Sequence, residues 1–369
     1  MKFTCEKTQL VSAISVASRT VAQKSAITGL EGILVRAGVK VMLTGYNLET
    51  GITVSVDADV QENGACIMPA RLFFDIVRKL PDDTVSIQVD ENFKVSIKGG
   101  ISSFTITALS ADDYPELPDV DSEKGIRVPQ CELKAMISGT IFAVSENQAR
   151  PIHTGILFEV DNDSITSVAV DGYRLALRRE PVEGYGDDCS FIVPGTALSD
   201  LERLCGDSDE RVVLSVGSKH ISFTVGNTVI LSRRLEGDFL NYKKAIPESF
   251  RVTVKTARTD LLEVVERVSL IIDSKNNAPL RLTFRKDAID FVCTTPLGKA
   301  ADSCPCEGDG GDLEIGFNDH YLSDALKAAP ADELNVCLNT GSSPCIFVPA
   351  DGSDNFVYMV LPVRLRAGQ

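Results

Sequence analysis

Histidines and closely spaced cysteines are the first places in this sequence where chemistry could be expected. None of the three histidines, His153, His220 and His320, has a second histidine or a carboxylate at the spacing of a metal site. Cys304-Pro305-Cys306 is a close cysteine pair, but no second Cys or His pair stands at zinc spacing from it. We therefore expect structural histidines, a reduced surface loop at 304–306, and neither a metal nor a cofactor.

Nucleotide-binding loops are missing from the sequence as well. Neither G-x-x-x-x-G-K-[ST] nor G-x-G-x-x-G after a strand occurs, so the pattern offers no backbone cradle for phosphate groups. Catalysis needs acid, base, nucleophilic or phosphate-binding groups that converge on one place, and no such set can be named. The sequence predicts a protein that is not an enzyme.

Charge and cysteine usage limit the class of protein further. The 369 residues include 37 Lys and Arg against 52 Asp and Glu, a net charge of −15, which favours solubility and argues against general adhesion to acidic polymers. A nucleic-acid role would require segregated basic residues. The ten cysteines are scattered singly and no leader precedes Met1, so we expect reduced thiols in a cytoplasmic protein. No apolar run of about 18 residues predicts a transmembrane helix.

Basic residues do recur on the predicted helices. Acidic residues such as Asp75, Glu202 and Glu266 share these helices, so the basic residues could simply belong to ordinary solvated faces. The alternative is that they face one common acidic partner. The basic set comprises Lys7, Arg19, Arg71, Arg78, Lys79, Lys134, Arg150, Arg203, Arg258, Arg267 and Lys327.

The helices and strands that position these residues belong to a sequence unit that occurs three times. In each copy a short strand runs into an amphipathic helix and then into further strands, at residues 66–89, 191–216 and 315–338. The copies are spaced by about one third of the chain, and a fixed period of this kind indicates the architecture of the whole protein. One aspartate in each helix aligns them: Asp75, Asp200 and Asp324.

A second helix opens each third of the chain, with an apolar face that begins at Leu10, Leu133 or Leu261. Alternating strand-like segments follow each of these helices. The sequence thus predicts an α+β fold of three similar domains, each built of two β-α-β-β-β units. Clusters of proline and acidic residues separate the domains at 1–120, 126–247 and 248–369, and Gly308-Asp309-Gly310-Gly311 is expected to be a flexible loop.

Three segments carry a resemblance to a known family. Val170-Asp171-Gly172-Tyr173-Arg174-Leu175, Gly237-Asp238-Phe239-Leu240-Asn241-Tyr242 and Tyr358-Met359-Val360-Leu361-Pro362-Val363-Arg364-Leu365 resemble signature segments of the bacterial DNA polymerase III beta subunit, the replication sliding clamp. The threefold repeat and near end-to-end coverage agree with it. The resemblance implies the DNA clamp fold, closed into a head-to-tail homodimeric ring. Such a ring encircles duplex DNA without sequence specificity and gives the polymerase processivity without catalysis. Any polymerase activity attributed to it would belong to the DNA polymerase III holoenzyme.

The resemblance also implies a shared pocket for partners, which insert a short peptide of the Gln-x-x-Leu-Phe kind. The implied partners are the replicative polymerase alpha subunit, the clamp loader, repair polymerases, ligase and mismatch-repair proteins. Leu175, Val360 and Leu361 are expected to form the pocket floor. The positions that match the pocket are His153, Val170, Gly172, Tyr173, Arg174, Leu175, Leu240, Lys244, Ala245, Ser343, Met359, Val360, Leu361, Pro362, Val363 and Arg364. The residues that depart from the best-known pattern are His153, Val170, Leu240, Lys244 and Ala245.

Two further surfaces follow from the resemblance. The dimer contact is expected to join Phe104 and Ile106, on an edge strand of the first domain, to Ile271 and Ile272 in a helix of the third. Among the DNA-facing positions, Thr196 stands where a relative carries a basic residue. The tail formed by residues 366–369 is expected to be disordered. The competing interpretation is a repeat scaffold that binds partner peptides without encircling DNA, which would lack a basic lining. The expected DNA-facing residues are Lys24, Arg71, Arg78, Lys79 and Arg203.

Overall fold

The computed structural model describes residues 1–120, 125–182, 188–273 and 278–365. The chain divides into two compact units, the first formed by Met1–Cys131 with Arg203–Arg234 and the second by Glu132–Glu202 with Leu235–Gln369. The tail for which disorder was predicted, 366–369, lies outside the described residues. The predicted domain boundaries therefore stay a prediction.

Six α-helices occur in the described residues, two in each third of the chain as predicted. The apolar faces are buried as expected, for example Leu10 and Ile14 in the first helix and Phe73 and Ile76 in the second. The helices are α1 (Lys7–Ala17), α2 (Ala70–Lys79), α3 (Gln130–Ser138), α4 (Gly195–Leu204), α5 (Arg258–Ser269) and α6 (Asp319–Ala328).

The apolar spacing in the sequence predicts a first helix from about Thr8 to Val21, but α1 ends at Ala17. The hydroxyl of Ser18 donates a 2.6 Å hydrogen bond to the carbonyl oxygen of Ile14, and the residues from Ser18 to Thr20 tighten into a 3-10 turn. Val21 is already extended, with φ −71° and ψ 130°. A serine that bonds to the preceding turn competes with the helix, so α1 ends there.

Strands make up most of the rest of the described chain. They are β1 (Lys2–Glu6), β2 (Gly32–Ala37), β3 (Val41–Tyr46), β4 (Thr50–Val56), β5 (Ala58–Glu62), β6 (Gly64–Pro69), β7 (Thr84–Val89), β8 (Lys94–Gly99), β9 (Ser102–Thr107), β10 (Leu109–Ser110), β11 (Ile126–Pro129), β12 (Gly155–Val160), β13 (Ser164–Val170), β14 (Arg174–Pro181), β15 (Cys189–Pro194), β16 (Arg211–Val216), β17 (His220–Val225), β18 (Thr228–Arg233), β19 (Val252–Ala257), β20 (Leu280–Thr295), β21 (Gly298–Phe317), β22 (Glu333–Leu338), β23 (Cys345–Pro349) and β24 (Phe356–Val360).

The first unit holds two antiparallel sheets. A five-stranded sheet has the order β5-β1-β7-β8-β9, and a nine-stranded sheet has the order β10-β6-β2-β3-β4-β18-β17-β16-β11. Strands β4 and β18 pair antiparallel, with Ile52 opposite Ile230, so the larger sheet runs from the first third of the chain into the second. Helix α1 packs against β3 so closely that a Cβ on Gly45 would lie 1.9 Å from the carbonyl oxygen of Ala17. Only glycine fits there.

The second unit is built on one ten-stranded sheet, in the order β15-β12-β13-β14-β24-β23-β22-β19-β21-β20. Antiparallel pairing of β14 with β24 places Leu175 opposite Met359 and joins the second third of the chain to the last third. The second third follows the predicted pattern of β-α-β-β-β twice over. In the last third, the strands between α5 and α6 are continuous and form one long hairpin of β20 and β21.

The predictions of loops at 304–306 and 308–311 are wrong. Both segments lie within β21, where Pro305 pairs with Ala288 and Asp309 with Lys286, and Cys304 and Cys306 are buried. The pairing with β20 is irregular on both sides of Lys286. Glycine and proline usually mark turns, but they also occur at bulges, where a strand must bend without breaking.

All ten cysteines are free in the structure, and eight of them are buried. Burial raises the pKa of the Cys5 and Cys66 thiols to about 12, so both stay protonated and unreactive at neutral pH. Among the described residues, no helix has the length and apolar character required to cross a bilayer.

Candidate functional site

An apolar cluster in the second unit includes five of the sixteen predicted pocket residues: Val170, Leu175 and Met359 within it, and Ala245 and Leu361 packed against it. Val170 faces Leu175 across β13 and β14, and Leu175 faces Met359 across β14 and β24. Because side chains on directly opposed positions point to the same face of a sheet, the three form one row. The cluster also contains Leu157, Val168, Leu177, Ile192, Tyr242, Cys337 and Ile346, with Ile152, Leu235, Phe239, Ala245, Ile246, Phe250, Val348, Val357 and Leu361 packed against it.

The turn between β13 and β14 sits at one end of this row. Asp171 accepts hydrogen bonds from the backbone amides of Tyr173, at 2.8 Å, and Arg174, at 3.0 Å. Gly172 has φ +93° with open space where a side chain would stand, so its backbone is accessible in a conformation that favours glycine. The amide of Leu361 donates to the carbonyl oxygen of Tyr173 at 2.8 Å, which ties the segment after β24 to this turn.

Arg174 is the main electrostatic node beside the turn. Its Nε lies 2.9 Å from Asp171 and its Nη1 2.6 Å from Asp324, and its side chain is only 12% exposed. The guanidinium also stacks over Tyr321, 4.6 Å from the ring centroid, and lies 5.5 Å from that of Phe142. These contacts fix the arginine, so it holds the turn and helix α6 together.

Two tyrosines form an aromatic pair at the surface of the same region. The rings of Tyr173 and Tyr321 stack with their centroids 5.7 Å apart, and Tyr173 is 60% exposed. Exposed aromatic rings with a polar hydroxyl are favourable contact residues at interfaces. The pair therefore offers a flat contact surface at the rim of the apolar cluster.

A second rim comes from the segment 239–246. The ring of Phe239 packs edge-on against His153, with the centroids 5.8 Å apart, while Leu240 is 49% exposed. Ala245 is partly buried against the apolar cluster. Burial, with a smaller contribution from Arg150, lowers the pKa of His153, so its imidazole is neutral at neutral pH. An apolar surface lined by a neutral histidine suits an uncharged side chain.

The predicted pocket residues divide by where the structure places them. Of the three residues predicted for the floor, Leu175 belongs to the apolar cluster and Leu361 packs against it. Val360 lies opposite Arg174 in the pairing of β14 with β24, and alternation along the strand turns its side chain to the face opposite Met359. The hydroxyl of Ser343 donates to the carbonyl oxygen of Thr340 at 2.9 Å, within its own loop. The exposed members are Gly172, Tyr173, Leu240, Lys244, Val363 and Arg364, and His153, Ala245 and Pro362 are half-buried.

Three residues that contact this site were missed by sequence reasoning: Tyr321, Phe142 and Phe239. Tyr321 lies in the same helix as Asp324, one of the three aspartates that align the repeats. Its position in that helix could therefore be read from the sequence. Its contacts with Tyr173 and Arg174 could not, because these residues are about 150 positions away along the chain. The signal for Phe239 was stronger, since it belongs to one of the three segments that carry the resemblance.

The basic residues predicted to face DNA lie in the first unit and are all exposed. Arg71, Arg78 and Lys79 project from α2, and Arg203 from α4. Arg78 lies 3.3 Å from Asp75 and stacks over Phe74, 5.3 Å from the ring centroid. A groove of about 490 Å³ runs between α1 and α2, lined by Lys7, Thr8, Val11, Ser12, Ser15, Val16, Arg19, Phe74 and Arg78.

The residues predicted to form a dimer contact lie at two places, where Phe104 is exposed and Ile106, Ile271 and Ile272 are half-buried. Phe104 and Ile106 are two positions apart on β9, the edge strand of the five-stranded sheet, so they share one face. Phe104 is 41% exposed. Ile271 and Ile272 follow the end of α5 rather than lying inside it, and the amide of Ile272 donates to Ser269 at 2.9 Å. Leu270, which the sequence analysis did not single out, is 83% exposed beside them.

The histidines occupy separate elements: His153 follows Pro151 in a short 3-10 turn, His220 begins β17, and His320 lies in α6. Within the described ranges, no group of three or more His, Cys, Asp or Glu side chains could hold a metal ion. The geometry of the site is that of a contact surface with a buried apolar base.

Comparison with known proteins gives matches along nearly the whole chain. Models of the N-terminal, central and C-terminal domains of the DNA polymerase III beta subunit match residues 1–118, 127–241 and 243–364. The beta sliding clamp of Staphylococcus epidermidis is 30% identical, with 99% of each chain covered. A crystal structure of the DNA polymerase sliding clamp from Bacillus subtilis superposes with a TM-score of 0.96 at 28% identity, covering 99% of this chain and 100% of that one.

A second solved structure, the DNA polymerase III subunit beta from Pseudomonas aeruginosa, superposes with a TM-score of 0.92 at 29% identity, over 99% of this chain and all of that one. The sequence relationship and the fold thus agree over the full length. They confirm the three similar domains predicted from the repeat and the clamp fold that the resemblance implies. The chain belongs to the DNA polymerase III beta subunit family, the family of the bacterial sliding clamps.

Proposed function

We propose that two copies of this chain close head to tail into a ring that encircles duplex DNA and slides along it without reading sequence. The observation that carries this proposal is the run of three consecutive family domains, which leaves no part of residues 1–364 longer than a short linker unassigned. The ring would act in the cytoplasm as a non-catalytic processivity factor. The non-catalytic role is supported by relatives that are named as clamps.

The distribution of charge supports an encircled DNA. The chain carries a net charge of −15, yet α2 presents exposed Arg71, Arg78 and Lys79, and α4 presents exposed Arg203. Contacts between such side chains and phosphates are independent of base sequence and weaken with salt. Topology would retain the ring on DNA, so individually weak contacts permit sliding.

Two partly exposed apolar surfaces support closure by a head-to-tail contact. One is the unpaired edge of β9 with Phe104 and Ile106, and the other is the apolar run from Leu270 to Ile272. A contact between two different patches generates a closed ring when the rotation closes, and it then covers both patches on every copy. Covering the β9 edge also removes a strand that could otherwise template aggregation.

The apolar cluster with its two rims supports a peptide-binding role. A peptide of the Gln-x-x-Leu-Phe kind could bury its leucine and phenylalanine beside Tyr173, Leu240 and Val363, each side chain contributing about 1.5–3 kcal/mol. That is enough for a dissociation constant of about 1 µM when a few backbone hydrogen bonds are added. Through this site we expect the chain to recruit the replicative polymerase alpha subunit, the clamp loader, repair polymerases, ligase and mismatch-repair proteins.

A retention experiment tests the ring. The protein would be loaded with a clamp loader and ATP onto nicked circular DNA and separated from free protein by gel filtration, before and after a restriction enzyme linearises the circle. Encirclement predicts that protein stays on circles and leaves the linear DNA through its ends. Equal loss from circular and linear DNA would instead favour a repeat scaffold that binds peptides without encircling DNA.

A further inference from the structure

The segment 239–246 carries one rim of the proposed peptide site, but it contains only a short 3-10 turn, Tyr242–Lys244. Three backbone hydrogen bonds shape it, from Tyr242 to Leu240 at 2.7 Å, from Lys244 to Asn241 at 3.3 Å and from Ala245 to Tyr242 at 2.9 Å. All three lie inside the segment. Its position on the sheet must therefore come from side chains.

Phe239, Ala245 and Ile246 pack against the apolar cluster, and Tyr242 adds an attachment that is both apolar and polar. Its ring is only 4% exposed and belongs to the apolar cluster that also contains Leu175 and Met359. Its hydroxyl donates a 2.5 Å hydrogen bond to Glu159 Oε2, a carboxylate on β12, 83 residues away in sequence. A short bond from a hydroxyl to a charged acceptor is among the stronger hydrogen bonds in proteins.

Glu159 is also held by a second contact from the same segment. The Nζ of Lys243 lies 3.2 Å from Glu159 Oε2 and 5.6 Å from the centroid of the Tyr242 ring. Burial, and then the hydrogen bond to Glu159, raise the pKa of Tyr242, so its hydroxyl remains a donor across the physiological range. Two adjacent residues thus attach the turn to one carboxylate on β12 of the ten-stranded sheet.

The residue that this attachment places is Leu240. The carbonyl oxygen of Leu240 accepts a hydrogen bond from the amide of Tyr242, which ties the backbone of Leu240 to Tyr242. The side chain of Leu240 remains 49% exposed. An exposed side chain on a backbone without sheet pairing binds well only if it is already in place, because ordering it on binding lowers affinity.

We propose that Tyr242 is a positioning residue of the peptide site: its hydrogen bond to Glu159 holds the 239–246 segment so that Leu240 stands ready for the incoming peptide. This inference rests on the proposed peptide-binding function and names a residue whose ring is buried in the apolar cluster and whose hydroxyl donates to Glu159. Removing the hydroxyl leaves the ring in the apolar cluster and frees the segment at its polar end.

A double-mutant cycle on peptide affinity tests the proposal. A labelled Gln-Leu-Ser-Leu-Phe peptide would be titrated by fluorescence anisotropy against the wild type, Tyr242→Phe, Leu240→Ala and the double variant. Tyr242→Phe should raise the Kd about five- to tenfold in the wild-type background. It should have almost no effect when Leu240→Ala is already present, because the side chain that Tyr242 positions is then gone.

Two control variants separate positioning from general stability. Tyr114→Phe removes a buried tyrosine hydroxyl that donates 3.1 Å to the carbonyl oxygen of Thr44 in the first unit, and it should leave the Kd unchanged. Glu159→Gln retains an acceptor for the Tyr242 hydroxyl and should retain more affinity than Glu159→Ala. Hydrogen exchange of the free protein adds a readout without peptide: Tyr242→Phe should speed exchange at the amides of Lys244 and Ala245 and leave β12 unchanged.

The possible failures are distinguishable. If the wild type binds the peptide and Tyr242→Phe binds equally well, or loses the same factor with and without Leu240→Ala, the positioning role is overturned and the peptide site stands. If the wild type binds no peptide while the ring is retained on circular DNA, the peptide-binding part of the proposed function is overturned, and this inference with it.

Discussion

Nη1 of Arg174 lies 2.6 Å from a carboxylate oxygen of Asp324, joining the first residue of β14 to helix α6 across 150 residues of sequence. Asp324 is one of the three aspartates that align the repeats. In the first copy, the matching Asp75 instead pairs with Arg78 in its own helix, at 3.3 Å. One repeated position has therefore acquired a long-range role in the last third of the chain.

The first prediction concerns this pair. Arg174→Ala leaves Asp171 and Asp324 without their shared cation and removes the cation from above Tyr321, so it should destabilise the protein by about 1–3 kcal/mol. Peptide affinity should fall about tenfold, because the turn that carries Tyr173 loses its anchor. Urea unfolding and anisotropy titration measure the two effects.

Arg174→Lys is the matched control for charge. Lysine keeps the charge but cannot span two carboxylates with a planar fork, so an intermediate stability is expected. If Arg174→Ala matched the wild type in both measurements, the arginine would have no anchoring role.

The second prediction separates contact from stability at the peptide site. Tyr173→Ala and Leu240→Ala each remove a side chain that is about half exposed, so neither should greatly change the free energy of unfolding. Each should raise the Kd for the labelled peptide about five- to thirtyfold, as expected for contact residues of an interface.

Leu297→Ala provides the control, because Leu297 is also an exposed leucine of the second unit but lies outside the predicted pocket. It should bind the peptide like the wild type. If Tyr173→Ala and Leu240→Ala also bound the peptide like the wild type, the peptide would bind elsewhere.

The third prediction concerns the dimer. Ile271→Ala combined with Ile272→Ala should convert the protein from about twice 39.8 kDa to a single chain in light scattering, because the proposed contact loses two apolar side chains on each side of the ring. Phe104→Ala should weaken the same contact from the other patch.

Met42→Ala is matched to Phe104→Ala, since Met42 is likewise an exposed apolar residue on a strand of the first unit. It should leave the mass of the assembly unchanged. An unchanged mass in the Ile271 and Ile272 double variant would place the contact on other residues.

The fourth prediction concerns sliding on DNA. A single change such as Arg71→Ala should barely alter retention on closed circles, because topology rather than any one phosphate contact holds the ring. Removing Arg71, Arg78 and Lys79 together should lower the affinity for linear duplex DNA. The dependence of that affinity on salt concentration should become shallower, by the amount expected for the loss of about two to three phosphate contacts. Release from circles by a single change would mean that specific contacts, not topology, retain the protein.

The repeat and the apolar faces were predictable because they are local in sequence. Leu10 and Ile14 are spaced for a helix, and in the structure both are buried where the spacing predicts. Register within sheets is also set by local alternation, as at Val170 and Leu175. The family resemblance then supplied the prediction of which positions share one site.

The contacts of the site could not be predicted in the same way. Tyr173 stacks on Tyr321, and Tyr242 reaches Glu159, only because sheet pairing brings distant segments together. At Gly308 the glycine-rich sequence led to the wrong prediction of a loop. This glycine, at φ +127°, lies in a bulged strand. Alternation also placed Val360 opposite Arg174, away from the predicted floor.

The fifth prediction follows from the buried thiols. In the unfolded chain the Cys66 thiol ionises near its ordinary pKa of 9.0, whereas burial in the folded chain raises its pKa to about 12. Above pH 9 the unfolded state therefore releases a proton that the folded state keeps, and the unfolded state is favoured. Between pH 9 and about 12, each such thiol should lower the free energy of unfolding by up to about 1.4 kcal/mol per pH unit.

Urea unfolding between pH 7 and 10.5 would isolate this contribution. Cys66→Ala should lower stability at pH 7 through lost packing, but its stability should decline less steeply above pH 9 than that of the wild type. Ile67→Val is the packing control, because it trims the buried neighbour on the same strand without removing a titratable group. It should shift the whole curve and keep the wild-type slope. If Cys66→Ala also kept that slope, ionisation of this thiol would not be coupled to unfolding, and the alkaline loss of stability would have to come from the other buried thiols and tyrosines.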